Sequence, residues 1–395
     1  MTDMTTSFPF ARLAYAAVAL GAIACAAPEM STEPFGIVES ASPAMPASGD
    51  PGAAGPAGAR AGTTGGETGS ATGSPTAPVV TLAECVPAPS CDGALPVRPP
   101  PRGFRNTTSS LVALLPSSAA GHDTLIAADA PQRLVGRFAY GAVVPLRDDD
   151  VDVYVERGSG GEWSAIGTAR TTSGERAAVD GVADDGGRVF FEIPNGDRLA
   201  IGRHRVLMVA RGDGTRLDFV VDVLPAGTHL AITDVDGTLT MAEDAEIGAL
   251  ATGTLPAARP DAAQIFSTLA SKGYRIAYVT ARPEWLMART RAFLDENGFP
   301  RGIVRTATDT LFGHKGAPAV TYKTAQLGLL GAASQPQWLF GNTPTDAETY
   351  AKSGLPLERR VLIDYADSAH GGRSVSSWTQ LVTEAAALPP VCKPR

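Results

Sequence analysis

The stretch "HLAITDVDGTLT", His229 to Thr240, decides the fold. An apolar run with the look of a buried strand ends abruptly in Asp234 and Asp236, one residue apart. Like charges held that close repel, so something positive or reactive has to sit between them. Outward from this point, Gly227 to about residue 390 alternates strand and helix signals. "HLAIT", "RIAYVT", "GIVRT", "QWLFGN" and "RRVLIDY" read as strands. The helices expected between and after them cover Asp261–Lys272, Glu284–Asn297, Ala319–Leu330, Thr345–Ser353 and Val375–Ala387. Gly273 and Gly298 close the first two of these, as glycines past a helix end do. Such alternation predicts a doubly wound parallel sheet covered on both faces, with ligands at the carboxyl ends of the strands. Both aspartates stand at such an end.

Three further features follow other strands. Thr280-Ala-Arg282-Pro ends the second, Lys323 lies near the start of the third helix, and Gly341-Asn342-Thr-Pro-Thr-Asp346 follows the fourth. Together they suit phosphoryl transfer through an aspartyl-phosphate. One carboxylate attacks phosphorus, and a second protonates the leaving group and then activates water. A bridging Mg²⁺ would reconcile the two acids, with Asn342 and Asp346 completing an oxygen-rich site around Asp234 and Asp236. Thr280 can donate to a phosphoryl oxygen, and Lys323 can neutralise developing charge. Arg282 either positions a substrate phosphate or serves a buried ion pair or helix cap.

The set resembles the haloacid dehalogenase (HAD) phosphohydrolase superfamily, whose first motif is D-x-D-x-T after a strand. That resemblance implies Asp234 as nucleophile, Asp236 as general acid/base, and catalytic roles for Thr238, Thr280 and Lys323. More narrowly, "DVDGTLT", "VTARPEW", "GHKGAPAVTYKTAQL" and "FGNTPTDAETYAKSGL" look like the lipin-type domain of Mg²⁺-dependent phosphatidate phosphatases. The similarity spans about Thr228 to Tyr365 and implies a phospholipid phosphomonoester as substrate. A related branch, the membrane-associated phosphatidylinositol transfer proteins, has a lipin-like domain that binds phosphatidic acid without hydrolysing it. The alternatives to a phosphatidate phosphatase are therefore a non-catalytic phosphatidate-binding module, or a phosphatase for soluble or protein substrates. The segments from Thr240 to Arg259 and from Arg282 to Lys323 leave no room for a cap domain, which implies an open site.

Residues 111–225 carry short alternating runs, among them "LVGRFAYG", "DVDVYVERG", "RVFFEIP" and "RLDFVVDVL", separated by turn residues. Their size and spacing predict an all-β sandwich of about seven strands, and "GTARTTSGERAAVDGVADDGGRVFFEIP" resembles the turn-and-strand pattern of immunoglobulin-like or transthyretin-like modules. Four acids between Asp148 and Asp152 form a solvated edge rather than a full calcium loop. Residues 26–105 are mostly Ala, Gly, Pro, Ser and Thr and read as a flexible tether. An uncharged run, Leu13–Ala24, follows Arg12 and has the length of a signal-peptide core. The small residues before Cys25 resemble a bacterial lipobox. Residues 1–25 are accordingly expected to be a signal peptide with Cys25 lipidated, giving an exported, membrane-anchored protein of the periplasm or cell surface. Cys85 and Cys91 are the economical disulfide pair, with Cys392 left over. A formal net charge of -8, from 33 basic and 41 acidic residues, argues against nucleic acid as a partner.

Overall fold

The described part of this computed structural model is residues 82–393, without 90, 92, 97, 98, 142, 159 and 160. The expected signal peptide, Cys25 and most of the expected tether therefore lie outside the described residues.

Ten strands precede the α/β region: β1 Ala120–Gly121, β2 Thr124–Ala127, β3 Arg133–Arg137, β4 Ala139–Tyr140, β5 Val144–Pro145, β6 Asp150–Glu156, β7 Trp163–Arg170, β8 Arg188–Glu192, β9 Gly202–Ala210 and β10 Arg216–Leu224. A short helix, α1 (Thr107–Val112), leads into them. The strands form sheets in the orders β1-β3-β8 and β2-β10-β9-β6-β7, with β4-β5 as a separate hairpin. Alternation explains the layering. Val151, Val153 and Val155 of β6 point inward with Val206, Met208 and Ala210 of β9, against Leu134 and Val189 from the smaller sheet and Phe138 just past β3. The acids at 148–152 are engaged with arginines: Asp148 and Asp150 with Arg170, and Asp152 with Arg211.

Six parallel strands follow: β11 His229–Thr233, β12 Arg275–Pro283, β13 Ile303–Ala307, β14 Gln335–Gly341, β15 Arg360–Ile363 and β16 Arg373–Val375. Their order, β13-β12-β11-β14-β15-β16, makes β11 the switch point from which connections run in both directions. The helices are α2 Ala245–Thr252, α3 Ala262–Ser271, α4 Met287–Glu296, α5 Ala317–Ala333, α6 Pro344–Ala351 and α7 Val382–Ala387. The architecture is the one the alternation predicts, a parallel sheet preceded by a β-sandwich. The sequence pattern missed β16, three residues long, and α2, which lies in the segment after Thr240.

The sandwich and the parallel sheet share a core. Leu125, Val220 and Leu224 of the sandwich pack with Ile232, Ala277, Ile303 and Leu330 of the α/β region. Asp123, almost fully buried, crosses the seam: it accepts from the Val220 and Val304 amides and from Arg291. Arg188, on β8, reaches Glu284 at 2.7 Å and the Thr308 carbonyl at 2.9 Å. A buried seam with paired charges and continuous apolar packing holds the site's scaffold as one body.

Residues 82–105 depart from a free tether where they are described. Cys85 is bonded to Cys392, 307 residues away, and the two segments also pair through Glu84 and Lys393. This corrects the expected Cys85–Cys91 pair. Cys91 is free and buried in the shared core, where burial pushes its thiol up. Sequence proximity favoured the wrong partner because it carries no information on where the chain's end returns. Gly273 marks that return: a Cβ there would come within 2.1 Å of the Cys392 sulfur.

Candidate functional site

All eight expected site residues of the α/β region converge at the carboxyl ends of β11, β12 and β14. Asp234 is the first residue past β11 and is buried. The turn after it needs Gly237, whose φ of 67° lies in the left-handed region, and whose absent Cβ leaves room for Asn342 and Glu243. Thr238 donates to Asn342 Oδ1 at 2.7 Å and lies 3.3 Å from Asp234 Oδ2. Its carbonyl accepts from the buried Trp378 indole, which ties the turn to the core.

Lys323 lies on α5, with its side chain buried. Its Nζ donates to Asp234 Oδ1 at 2.7 Å and to Asp346 Oδ1 at 2.6 Å. Burial works against its charge, but Asp234 and Asp346 outweigh burial and hold the ammonium above its usual range. Burial pushes the Asp234 carboxyl up; Lys323 opposes this, while Asp346 and Asp236 reinforce it. The other Asp346 oxygen accepts from the Asn342 and Thr343 amides and from the Thr343 hydroxyl. Thr343 and Asp346 thus form a capping box at the start of α6.

Asp236 faces the other way. Arg282 grips both its oxygens, at 2.7 to 3.0 Å from Nε and Nη2, and Thr280 donates to it at 3.1 Å. Arg282 also reaches Glu246 at 3.2 Å, and Arg289 holds the second oxygen of Glu246 at 2.6 Å. Of the roles open to Arg282, the buried ion pair is the one this geometry displays. Glu246 was not legible as a site residue. Its only sequence signal is an acid in the first turn of α2, a common surface position. Glu243, which donates nothing and accepts from Asn342 at 3.3 Å, closes the rim.

The expected Mg²⁺ site is corrected by this arrangement. Among the described residues no group of three or more His, Cys, Asp or Glu is placed to hold a metal ion. The lysine ammonium lies between Asp234 and Asp346, 2.7 and 2.6 Å from their oxygens. Asp236 is turned onto Arg282, and Asn342 Oδ1 is taken by Thr238. The charge that reconciles the carboxylates comes from two side chains. The sequence brought Lys323 and Arg282 to this edge with the acids, but did not say which carboxylate each would pair with.

A family model described as the LNS2 domain of PITM 1-3 matches residues 231–363. A second, described as the PITM 1-3 β-sandwich domain, matches residues 117–223. The chain is thus similar, over both regions in this order, to membrane-associated phosphatidylinositol transfer proteins. Human membrane-associated phosphatidylinositol transfer protein 2 is 34% identical over 186 residues, which is 46% of this chain and 12% of that protein. The rat protein 1 is 32% identical over 212 residues, 53% of this chain and 16% of that one. Protein retinal degeneration B of Drosophila melanogaster is 29% identical over 229 residues, 56% of this chain and 17% of that protein. The chain spans less than a fifth of the length of each of these relatives. Among solved structures, a putative HAD-like phosphatase from Mesorhizobium loti aligns at 18% identity with a TM-score of 0.32, covering 42% of this chain and 90% of that one. That score is too low to bear on function.

These relatives overturn two expectations. The first is the HAD-type, lipin-like phosphatase: the relatives are named as transfer proteins, and the acids expected to attack phosphorus and move protons are held by Lys323 and Arg282. The second is the exported bacterial lipoprotein anchored through Cys25 in a periplasm or at a cell surface. The matching proteins are animal proteins named as membrane-associated. An Ala-rich segment with small residues before a cysteine satisfies a lipobox pattern on composition alone. Among the described residues no helix is long and apolar enough to cross a membrane.

Proposed function

We propose that this chain is a non-hydrolytic phospholipid-binding module whose parallel-sheet edge takes a phosphomonoester headgroup of the phosphatidate class. The observation that carries this is the pairing of Asp234 with Lys323 and of Asp236 with Arg282. Both acids are committed to structural ion pairs, while the same small volume holds two cations and the hydroxyls of Thr238 and Thr280. A phosphate dianion can exchange with a carboxylate as the partner of either cation, and the fixed hydroxyls can donate to its oxygens. Arginine suits bidentate capture of phosphate, and lysine acts as a point charge. The position at the switch point of the sheet, beside β11 and β14, is where such folds hold ligands. The names of the relatives, phosphatidylinositol transfer proteins, support a phospholipid as the bound class.

Co-sedimentation with vesicles tests the proposal. Phosphatidylcholine vesicles doped with phosphatidate should retain the protein more strongly than vesicles of equal charge doped with phosphatidylserine. Free phosphate should not accumulate, with or without added magnesium. Equal retention on both anionic vesicles, or phosphate release that Asp234→Asn abolishes, would overturn it.

A further inference from the structure

Five large apolar side chains of the α/β region are exposed: Met241, Ile247, Leu311, Phe312 and Leu357. Their placement is uneven. Met241 and Ile247 lie on the connection that leaves the carboxyl end of β11, and Leu311 and Phe312 on the one that leaves β13. Only Leu357 stands at the opposite edge, just before β15. Because the strands are parallel, the first four emerge on the edge that holds Asp234, Asp236 and Arg282. Phe312 is the most exposed, at 85%, and Ile247 is 67% exposed.

The 310–314 turn is held from beneath. His314 donates its amide to the Ala281 carbonyl, Trp285 donates its indole to the Leu311 carbonyl, and Thr310 donates to the Gly313 carbonyl. Gly313 lies so close to Ala281 that a Cβ would approach its carbonyl to 2.8 Å. The turn therefore presents Phe312 on a fixed base next to Arg282. On the sandwich side lies a cleft of about 280 Å³ in which Val143, Pro145, Trp285 and Leu311 stand among polar and charged residues such as Arg147 and Glu284, and Val143 and Val144 are exposed beside it.

We propose that this edge seats in the bilayer that carries the bound lipid, with Phe312, Ile247 and Met241 entering the interfacial acyl region. The inference rests on the headgroup reading above: a phosphate held between Lys323 and Arg282 belongs to a lipid whose chains remain in a membrane, so the edge around the site has to meet that membrane. Charge does not draw the edge there by itself. Lys315 and Arg147 flank it, but so do Glu243, Asp244 and Asp309. Burial of apolar area is then the term left to hold the contact, as in interfacial proteins generally.

Vesicle co-flotation of the full chain with Phe312→Ser, Ile247→Ser and the opposite-edge Leu357→Ser tests this. Phe312→Ser and Ile247→Ser should each lower the vesicle partition coefficient roughly ten-fold or more. Leu357→Ser should leave it unchanged. All three positions are exposed, and melting temperatures within a degree or two of the parent check that the fold is kept. Unchanged partitioning of Phe312→Ser and Ile247→Ser, with phosphatidate preference intact, overturns the inference and leaves the headgroup reading standing; the apolar edge would then be free to meet a protein. Weakened partitioning of these two variants on vesicles of every composition, without phosphatidate preference in the parent, upholds membrane seating and overturns the headgroup reading. Loss of partitioning by Leu357→Ser to the same extent also overturns the inference.

Discussion

Replacing Lys323 by Met isolates the electrostatics of the site, because Met fills similar space and removes only the charge. In the parent, Nζ lies 2.7 Å from Asp234 and 2.6 Å from Asp346, and all three side chains are buried. Breaking a buried ion pair from one side costs about 3–5 kcal/mol, since the remaining charge keeps its desolvation penalty. A second route to the magnitude gives the same range. The variant can relieve itself by protonating a carboxylate. Taking up a proton at pH 7 on a group with a reference pKa near 3.9 costs about 4 kcal/mol. Protonation therefore sets a ceiling, and the ceiling falls with pH. The sign follows from linkage. In the variant the folded-state carboxyls have pKa values raised above their unfolded values, so the folded state holds protons more tightly. Its stability is retained below about pH 4 and lost as pH rises towards 7. Guanidinium unfolding at pH 7 should show a loss of about 3–5 kcal/mol against the parent, shrinking towards about 1 kcal/mol at pH 4. Asp234→Asn in the Lys323→Met background should recover part of the loss at pH 7. A loss below about 1 kcal/mol at pH 7, or one that is the same at both pH values, would refute the reasoning.

The Cys85–Cys392 bridge closes a loop of 307 residues, so Cys392→Ser should lower unfolding free energy by about 2–5 kcal/mol, read as a shift in denaturation midpoint under non-reducing conditions. An unchanged midpoint would mean the paired segments hold without it. Gly237→Ala puts a Cβ within 2.2 Å of Asn342 Nδ2 at a φ of 67°, and should cost about 1–3 kcal/mol while weakening phosphatidate binding. Alanine tolerated without either effect would show that the turn relaxes freely. His122 is buried with Nε2 unpartnered, and burial, followed by Arg305, Arg188 and Arg291, holds its pKa well below the usual value. Its folded-state pKa lies below the unfolded one, so its contribution is present above about pH 6.5 and is lost as pH falls from there. His122→Asn should therefore flatten the decline in melting temperature between pH 7 and pH 5, and a decline as steep as the parent's would count against it.

Much of the α/β region was legible from local pattern. β11 occupies His229–Thr233 as the apolar run suggests, and Gly273 and Gly298 close α3 and α4 because a left-handed residue ends a helix cheaply. The sandwich was legible for the same reason: strands such as β6 and β9 alternate inward and outward side chains, and that period survives in sequence. The elements that went unseen carry little local pattern. β16 has only three residues, and α2 buries Glu246 and Ala249 while exposing Ile247, so its apolar pattern does not follow a helical face. The convergence of Asp234, Asp236, Thr280, Lys323 and Asp346 was also legible, because parallel strands deliver their following loops to one edge.

By itself the sequence determined the order of strands and helices, the edge at which the acids gather, and the turn chemistry around Gly237. These follow from short-range rules: hydrophobic period, backbone conformation and the direction of parallel strands. Only the tertiary structure decided which charge answers which. Lys323 and Arg282 are 89 and 46 residues from Asp234 and Asp236, and Glu246 enters from a helix with no site-like signature. The partner of Cys85 is likewise a matter of where the chain returns 307 residues later. A Coulomb interaction depends on distance in space and on the water excluded between the groups, and neither is written in residue spacing. That is why the two aspartates of "DVDGT" suggested a metal-bridged reaction centre, and why the fold presents them instead as anions already paired with the protein's own cations.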